Sequence, residues 1–179
     1  MDTGMGFERM CKVLQLKDSV YDTDLFVPAI QVISQNVYLN YDSKYYEQED
    51  EIVKYTAKLL SNQKRFRIVA DHSRTAFMLI NDGLIPSNVG AGYVLRMIIR
   101  RMVYNVIPLR DLSIVEYEVF LKQLLQSYES LRTFNTEEII RLMLEEIKLF
   151  KKTLQNGMQM LDEIFKREYE KRKNTPDVS

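Results

Sequence analysis

The feature that most limits the fold is a run of apolar residues near the C-terminus. Ile140, Met143, Ile147, Phe150, Leu154, Met158, Leu161 and Phe165 recur at intervals of three and four. That spacing lays one apolar stripe along an α-helix. Asn135, with Glu138 three residues on, reads as a capping box that starts it. The element then runs for about 35 residues, or roughly 50 Å at about 1.5 Å per residue. So long a helix draws its stability from packing, so it requires a partner along much of its length.

The rest of the chain repeats the same period in shorter pieces. Phe7, Met10, Val13 and Leu14 predict a helix from Phe7 to about Leu16. Ser19 to Asp24 is a turn, and Asp24 is placed to cap a helix from Leu25 to about Val37. Tyr38 to Asp50 is polar and rich in tyrosine and acid, which suggests an exposed loop. A short helix over Ile52 to Leu60 follows. Lys64 to Asn81 is a strong amphipathic helix with Phe66, Val69, Ala70, Ser73, Phe77 and Ile80 inward and Gly83 as its C-cap. Tyr93 to about Asn105 and Ile114 to about Leu131 complete the set; Pro108 ends the first of these, and the second carries Val115, Val119, Leu121, Leu124, Leu125 and Tyr128. No segment alternates with period two. The expected fold is all-α, a bundle of about six helices with one long C-terminal helix.

A chain of 179 residues with 46 % hydrophobic content can bury one packed core. The single Cys11 excludes an intrachain disulfide framework and suits a reducing compartment. The N-terminal residues lack the apolar run of a signal peptide, and no window is apolar enough to span a membrane. The expected location is the cytoplasm.

The net charge is zero, but its distribution is uneven. Residues 64–110 hold eight Lys/Arg against Asp71 and Asp82, whereas residues 1–63 hold six against ten acids. The basic excess surrounds the stretch Asp82 to Met102, DGLIPSNVGAGYVLRMIIRRM. Gly83, Pro86, Gly90 and Gly92 make its first half a loop. Its second half is a helix with Leu95, Ile98, Ile99 and Met102 on one face and Arg96 and Arg100 on another, with Arg101 between faces. Backbone N–H groups at such a helix start attract anions, and the arginines add charge. Two readings stand at this point: an ordinary loop and a solvated arginine face, or a docking site for a phosphate backbone.

Conventional catalytic arrangements are missing. His72 is the only histidine, so it supports neither a triad nor a metal site, and it reads as a hydrogen-bonded structural residue. No P-loop occurs. The paired acids Glu137/Glu138 and Glu145/Glu146 read as solvated helix surface. Met97, Met102, Met158 and Met160 read as flexible core filling.

Three blocks, in order, resemble the alanyl-tRNA synthetase family. DTGMGFERM (Asp2 to Met10) is similar to its version of class II motif 3. SVYDTDLF (Ser19 to Phe26) and RIVADHSRTAFMLINDGLIPSN…GYVLRMIIRR (Arg67 to Arg101) are similar to the junction with, and the core of, its tRNA-recognition mid domain. The resemblance implies three parts: a catalytic-domain remnant over residues 1–24, a helical tRNA-recognition domain over 25–172, and a flexible tail over 173–179. It also implies roles. Arg9 matches an arginine on the ATP phosphates, with Gly6 beside it. Asp2 matches the acid that holds the amino group of alanine, and Gly4 lies by the amino-acid pocket. Asn88 matches the asparagine that reads the acceptor-stem G·U wobble pair, and Asp162 the aspartate that reads it from the other side. Arg96, Arg100 and Arg101 would contact stem phosphates, positioning without specifying. The sequence departs from the family at Ala91 and Met97, where basic residues are expected.

The resemblance begins at motif 3, so motifs 1 and 2, and with them the supporting sheet and most of the ATP pocket, fall outside this sequence. The function implied is recognition of the tRNA(Ala) acceptor stem by a module of an alanine–tRNA ligase that does not aminoacylate alone. ATP is then a cofactor of the full-length family and not of this chain, and no metal, DNA or membrane partner is expected. Two alternatives remain. One is a subunit of a split ligase completed by a chain carrying motifs 1 and 2. The other is a helical scaffold that has lost tRNA binding.

Overall fold

The computed structural model describes residue 4, residues 6–37 and residues 49–174, without the side chains of 49–61 and 171–174. Among these residues it holds six α-helices and one turn of 3-10 helix, and no strand. The helices are α1 (Phe7–Leu14), α2 (Val27–Val37), α3 (Glu49–Asn81), α4 (Gly90–Val106), α5 (Ile114–Gln126) and α6 (Thr136–Asn174). The all-α bundle with a long last helix is as expected.

The expected break between a helix over Ile52–Leu60 and another over Lys64–Asn81 is absent. The two are one helix, α3. The intervening Ser61, Asn62 and Gln63 include neither glycine nor proline, so nothing there stops the hydrogen-bond ladder. Of the expected loop over Tyr38–Asp50, Glu49 and Asp50 belong to α3, and the rest lies outside the described residues.

The core lies around α3 and α4, which form an antiparallel hairpin. Val69, Ala70, Ser73, Ala76, Phe77 and Ile80 of α3 meet Leu95, Ile99, Met102, Val103 and Val106 of α4. From α5, Tyr117, Phe120, Leu121, Leu124 and Leu125 complete the interior, with Ile139, Ile140, Met143 and Ile147 from α6. The Tyr128 hydroxyl donates to the Ala70 carbonyl at 2.8 Å inside this core. Val115 and Val119, expected on the apolar face of α5, are exposed instead, because Tyr117 and Phe120 take the inward positions.

Local chemistry decides the helix ends. Asp24 does not cap α2. Its side chain accepts from Gln15 Nε2 at 2.6 Å, and its N–H donates to Gln15 Oε1 at 3.1 Å. α2 starts at Val27, whose N–H reaches the Thr23 carbonyl. At α6, the Asn135 side chain accepts from the Glu138 N–H, as a capping box requires. The reciprocal bond is different: Asn81 Oδ1 accepts the Asn135 N–H at 2.9 Å, and Glu138 turns to Arg141. α3 therefore caps α6. The complete capping box is Ser113 with Glu116, at the start of α5.

Two apolar faces expected to be buried are not. The α1 residues Phe7, Met10, Val13 and Leu14 are exposed, as are Met158, Leu161 and Phe165 of α6. Met97, Met158 and Met160 are exposed too, so of the four methionines read as core filling only Met102 is inside. Among the α6 residues whose side chains are described, the last fully buried one is Ile147, and the helix continues to Asn174. The spacing specifies a face correctly in both helices, but the bundle ends before the face does.

Candidate nucleic-acid interface

The loop between α3 and α4 is fixed by backbone geometry. Gly83 ends α3 with φ 90°, and its N–H reaches the Ile80 carbonyl. The chain then folds back on the start of α4. The Ser87 N–H donates to the Gly92 carbonyl at 3.1 Å. A Cβ on Gly92 would lie 2.3 Å from Ser87 Oγ and 2.6 Å from the Ile85 carbonyl oxygen. Only glycine permits this approach. The result is an exposed Asn88 held beside the N-terminus of α4.

Asn88 is tied into a charged network. Its Oδ1 accepts from Arg96 Nη1, nearly two helical turns into α4. Arg96 Nε donates to Glu146 Oε1 at 3.1 Å, and Arg100 Nε donates to the same oxygen at 2.6 Å. Glu146 is only 5 % exposed. Charge-assisted bonds to two guanidiniums are what make burial of that carboxylate tolerable. The Arg100 guanidinium also lies over the Phe150 ring, 5.5 Å from its centroid. Arg101 projects from the exposed face. The expectation that Glu146 is solvated surface, like its neighbour Glu145, is therefore corrected. Glu146 follows the buried Ile139 and Met143 by seven and three residues, on the face that α6 turns toward α4. A sequence signal existed in that register, with two arginines four apart on α4 as the matching cations.

The other expected site residues are dispersed. Asp162 is exposed on α6, sixteen positions beyond Glu146, which is about 24 Å along the axis. It lines a groove with Lys148, Lys151 and Lys152, against Asp111 and Ile114. Asn88 and Asp162 are not brought together. Gly4, Gly6 and Arg9 are exposed around the start of α1, and Asp2 lies outside the described residues. Gly6 precedes α1 with φ 82°, and its carbonyl accepts the Met10 N–H. His72 pairs with Asp71 at 2.9 Å, as a structural histidine should. Among the described residues no group of His, Cys, Asp or Glu could hold a metal, and no helix is long and apolar enough to cross a membrane.

The network carries a hydrogen-bonding amide at a helix start, with the exposed Arg101 about three turns along. Chemically it can bind a polyanion and touch a base edge. Comparison with known proteins gives this arrangement a context. Residues 1–177 match the family described as tRNA synthetases class II (A). The chain is 34 % identical over 166 residues to the alanine–tRNA ligase of Corynebacterium diphtheriae, covering 91 % of this chain and 17 % of that protein. It is 33 % identical over 168 residues to that of Flavobacterium psychrophilum, covering 92 % and 18 %. It is 39 % identical over 166 residues to that of Corynebacterium jeikeium, covering 90 % and 17 %. The chain thus spans less than a fifth of the length of these relatives, and within that span it belongs to the class II (A) tRNA synthetases, the family of the alanine–tRNA ligases.

Proposed function

We propose that this chain is an acceptor-stem recognition module for tRNA(Ala), working in the aminoacylation system of its family but not aminoacylating alone. The observation that carries this reading is Asn88, exposed at the start of α4 with its amide oxygen held by Arg96. Asn88 reads a base edge, and Arg101 contacts a phosphate. Arg96 and Arg100 serve mainly from behind, since both Nε atoms are occupied by Glu146. Asp162, which by resemblance reads the pair from the other side, lies about 24 Å along α6 from Glu146. It lines the lysine groove farther along α6, where a stretch of backbone can lie beside it.

The module takes part in no adenylate chemistry by itself. Gly4, Gly6 and Arg9 are exposed, and transition-state stabilisation depends on donors held in a preorganised, water-excluded site. ATP and alanine belong to the larger assembly. A second reading is a protein-binding scaffold, favoured by the apolar positions Met158, Leu161 and Phe165 left open on the outer half of α6.

Fluorescence anisotropy of the full 179-residue chain with a labelled tRNA(Ala) acceptor minihelix separates the two. Phosphate contacts make log K fall with log salt by about 0.7–0.9 per contact, and Arg101→Ala removes about one unit of that slope. Absence of any complex at low salt would leave the scaffold reading in place.

A further inference from the structure

We propose that Glu146 is a positioning residue that sets the hydrogen-bonding sense of Asn88 through Arg96, so that Asn88 meets the nucleic acid as a donor. This rests on the reading of Asn88 as the base reader. The geometry is a chain of three side chains from three places in the fold. Glu146 of α6 is buried, and its Oε1 accepts from the Nε atoms of Arg96 and Arg100. Those bonds fix the plane of the Arg96 guanidinium, whose side chain is only 21 % exposed. From that plane, Arg96 Nη1 donates to Asn88 Oδ1.

The consequence is one of polarity. A guanidinium has donors and no acceptor, so the amide can turn only its oxygen toward Arg96. The Nδ2 hydrogens of Asn88 are left facing outward. A free asparagine can accept from a guanine amino group or donate to a carbonyl. Here one of the two acceptor sites of Oδ1 is occupied and the amide is held in one orientation, so the group it offers outward is the two-hydrogen donor Nδ2. Its complement is an acceptor on the base pair, such as a pyrimidine carbonyl oxygen or a purine ring nitrogen. A wobble pair displaces both bases from Watson–Crick register, so the acceptor's position differs between G·U and G·C. A rigid donor senses that difference, and a freely rotating amide senses it less.

The test compares G·U and G·C acceptor minihelices by anisotropy, using wild type, Asn88→Ala, Glu146→Gln, Arg96→Met and the double variant Asn88→Ala/Glu146→Gln. Thermal melts by circular dichroism accompany each. The expected result is that Glu146→Gln reduces the G·U to G·C affinity ratio by about tenfold, most of the effect of Asn88→Ala. Its salt slope stays that of wild type, and the double variant loses no more than Asn88→Ala alone. Arg96→Met leaves Glu146 paired with Arg100 and serves if Glu146→Gln melts early. It too is expected to lower the ratio.

If Asn88→Ala lowers the ratio while folded Glu146→Gln and Arg96→Met leave it intact, the positioning role is overturned and the base-reading role stands. If Arg96→Met weakens both stems equally and flattens the salt slope, Arg96 is a phosphate contact and the relay is again overturned. If Asn88→Ala itself changes nothing, the base-reading role falls and the relay with it.

Discussion

Arg74 Nη2 lies 2.6 Å from Glu8 Oε1, joining α1 to α3 across 66 residues of sequence. The same guanidinium lies 4.3 Å from the centroid of Phe26, so one side chain fastens both the first helix and the segment that leads into α2. This matters because α1 turns most of its apolar side chains to solvent, leaving this pair, the packing of Cys11 and the Gln15–Asp24 bonds at its end to hold it.

The Glu8 contact should show in the pH dependence of stability. Its own backbone N–H, and then Arg74, hold the Glu8 carboxyl below its ordinary value of 4.5, against desolvation, which raises it. A depressed folded pKa means that stability is present above the unfolded pKa and is lost as pH falls through the folded value. Urea unfolding near neutral pH should therefore find Glu8→Gln less stable than wild type. The difference should be below about 1 kcal/mol, since the Glu8 side chain is 39 % exposed. At a pH well below the carboxylate range the two proteins should coincide.

Gly92→Ala tests the fold-back that presents Asn88. The new methyl would collide with backbone at the Ile85 carbonyl as well as with Ser87, so the loop must move. A cost of about 1–3 kcal/mol is expected from such overpacking. NMR shifts should change mainly over residues 84–93, and stem discrimination should drop along with stability. A variant as stable as wild type with an unmoved loop would contradict the role of Gly92 in this fold-back.

Two buried tyrosines should respond oppositely to loss of their hydroxyls. Tyr128 donates to the Ala70 carbonyl, so Tyr128→Phe should lose about 1 kcal/mol. The Tyr117 hydroxyl is buried with no partner among the described residues. Tyr117→Phe relieves that desolvation and should be neutral or stabilising. Burial, and secondarily Asp111, pushes the Tyr117 hydroxyl well above its ordinary pKa, so it should also resist ionisation in an alkaline absorbance titration. Equal losses from both substitutions would contradict the difference in bonding.

What was legible in the sequence, and what was not, follows from which interactions are local. The stripes Leu95, Ile99, Met102 and Ile140, Met143, Ile147 mark helices because periodicity is set by the helix itself. Gly83 and Pro86 mark the loop that places Asn88, whereas Gly90 and Gly92, also read as loop, form the first turn of α4. Glu145 and Glu146, by contrast, look alike in sequence. One pairs with Arg141 on its own helix and the other is buried under two arginines of α4, a difference that exists only once the helices pack. Asn81 capping α6 is likewise invisible, since it joins residues 54 positions apart. The open faces of α1 and outer α6 show the converse: an apolar stripe specifies a face to be covered and not what covers it.

The central claim is that the chain reads an acceptor stem through Asn88, and its most direct test is the ratio of affinities for G·U and G·C alanine minihelices at one fixed salt concentration. Wild type should prefer the wobble stem by at least about tenfold, or about 1.4 kcal/mol, and Asn88→Ala should bring the ratio near unity. Equal binding of the two stems by wild type, or a preference that survives Asn88→Ala, would contradict it.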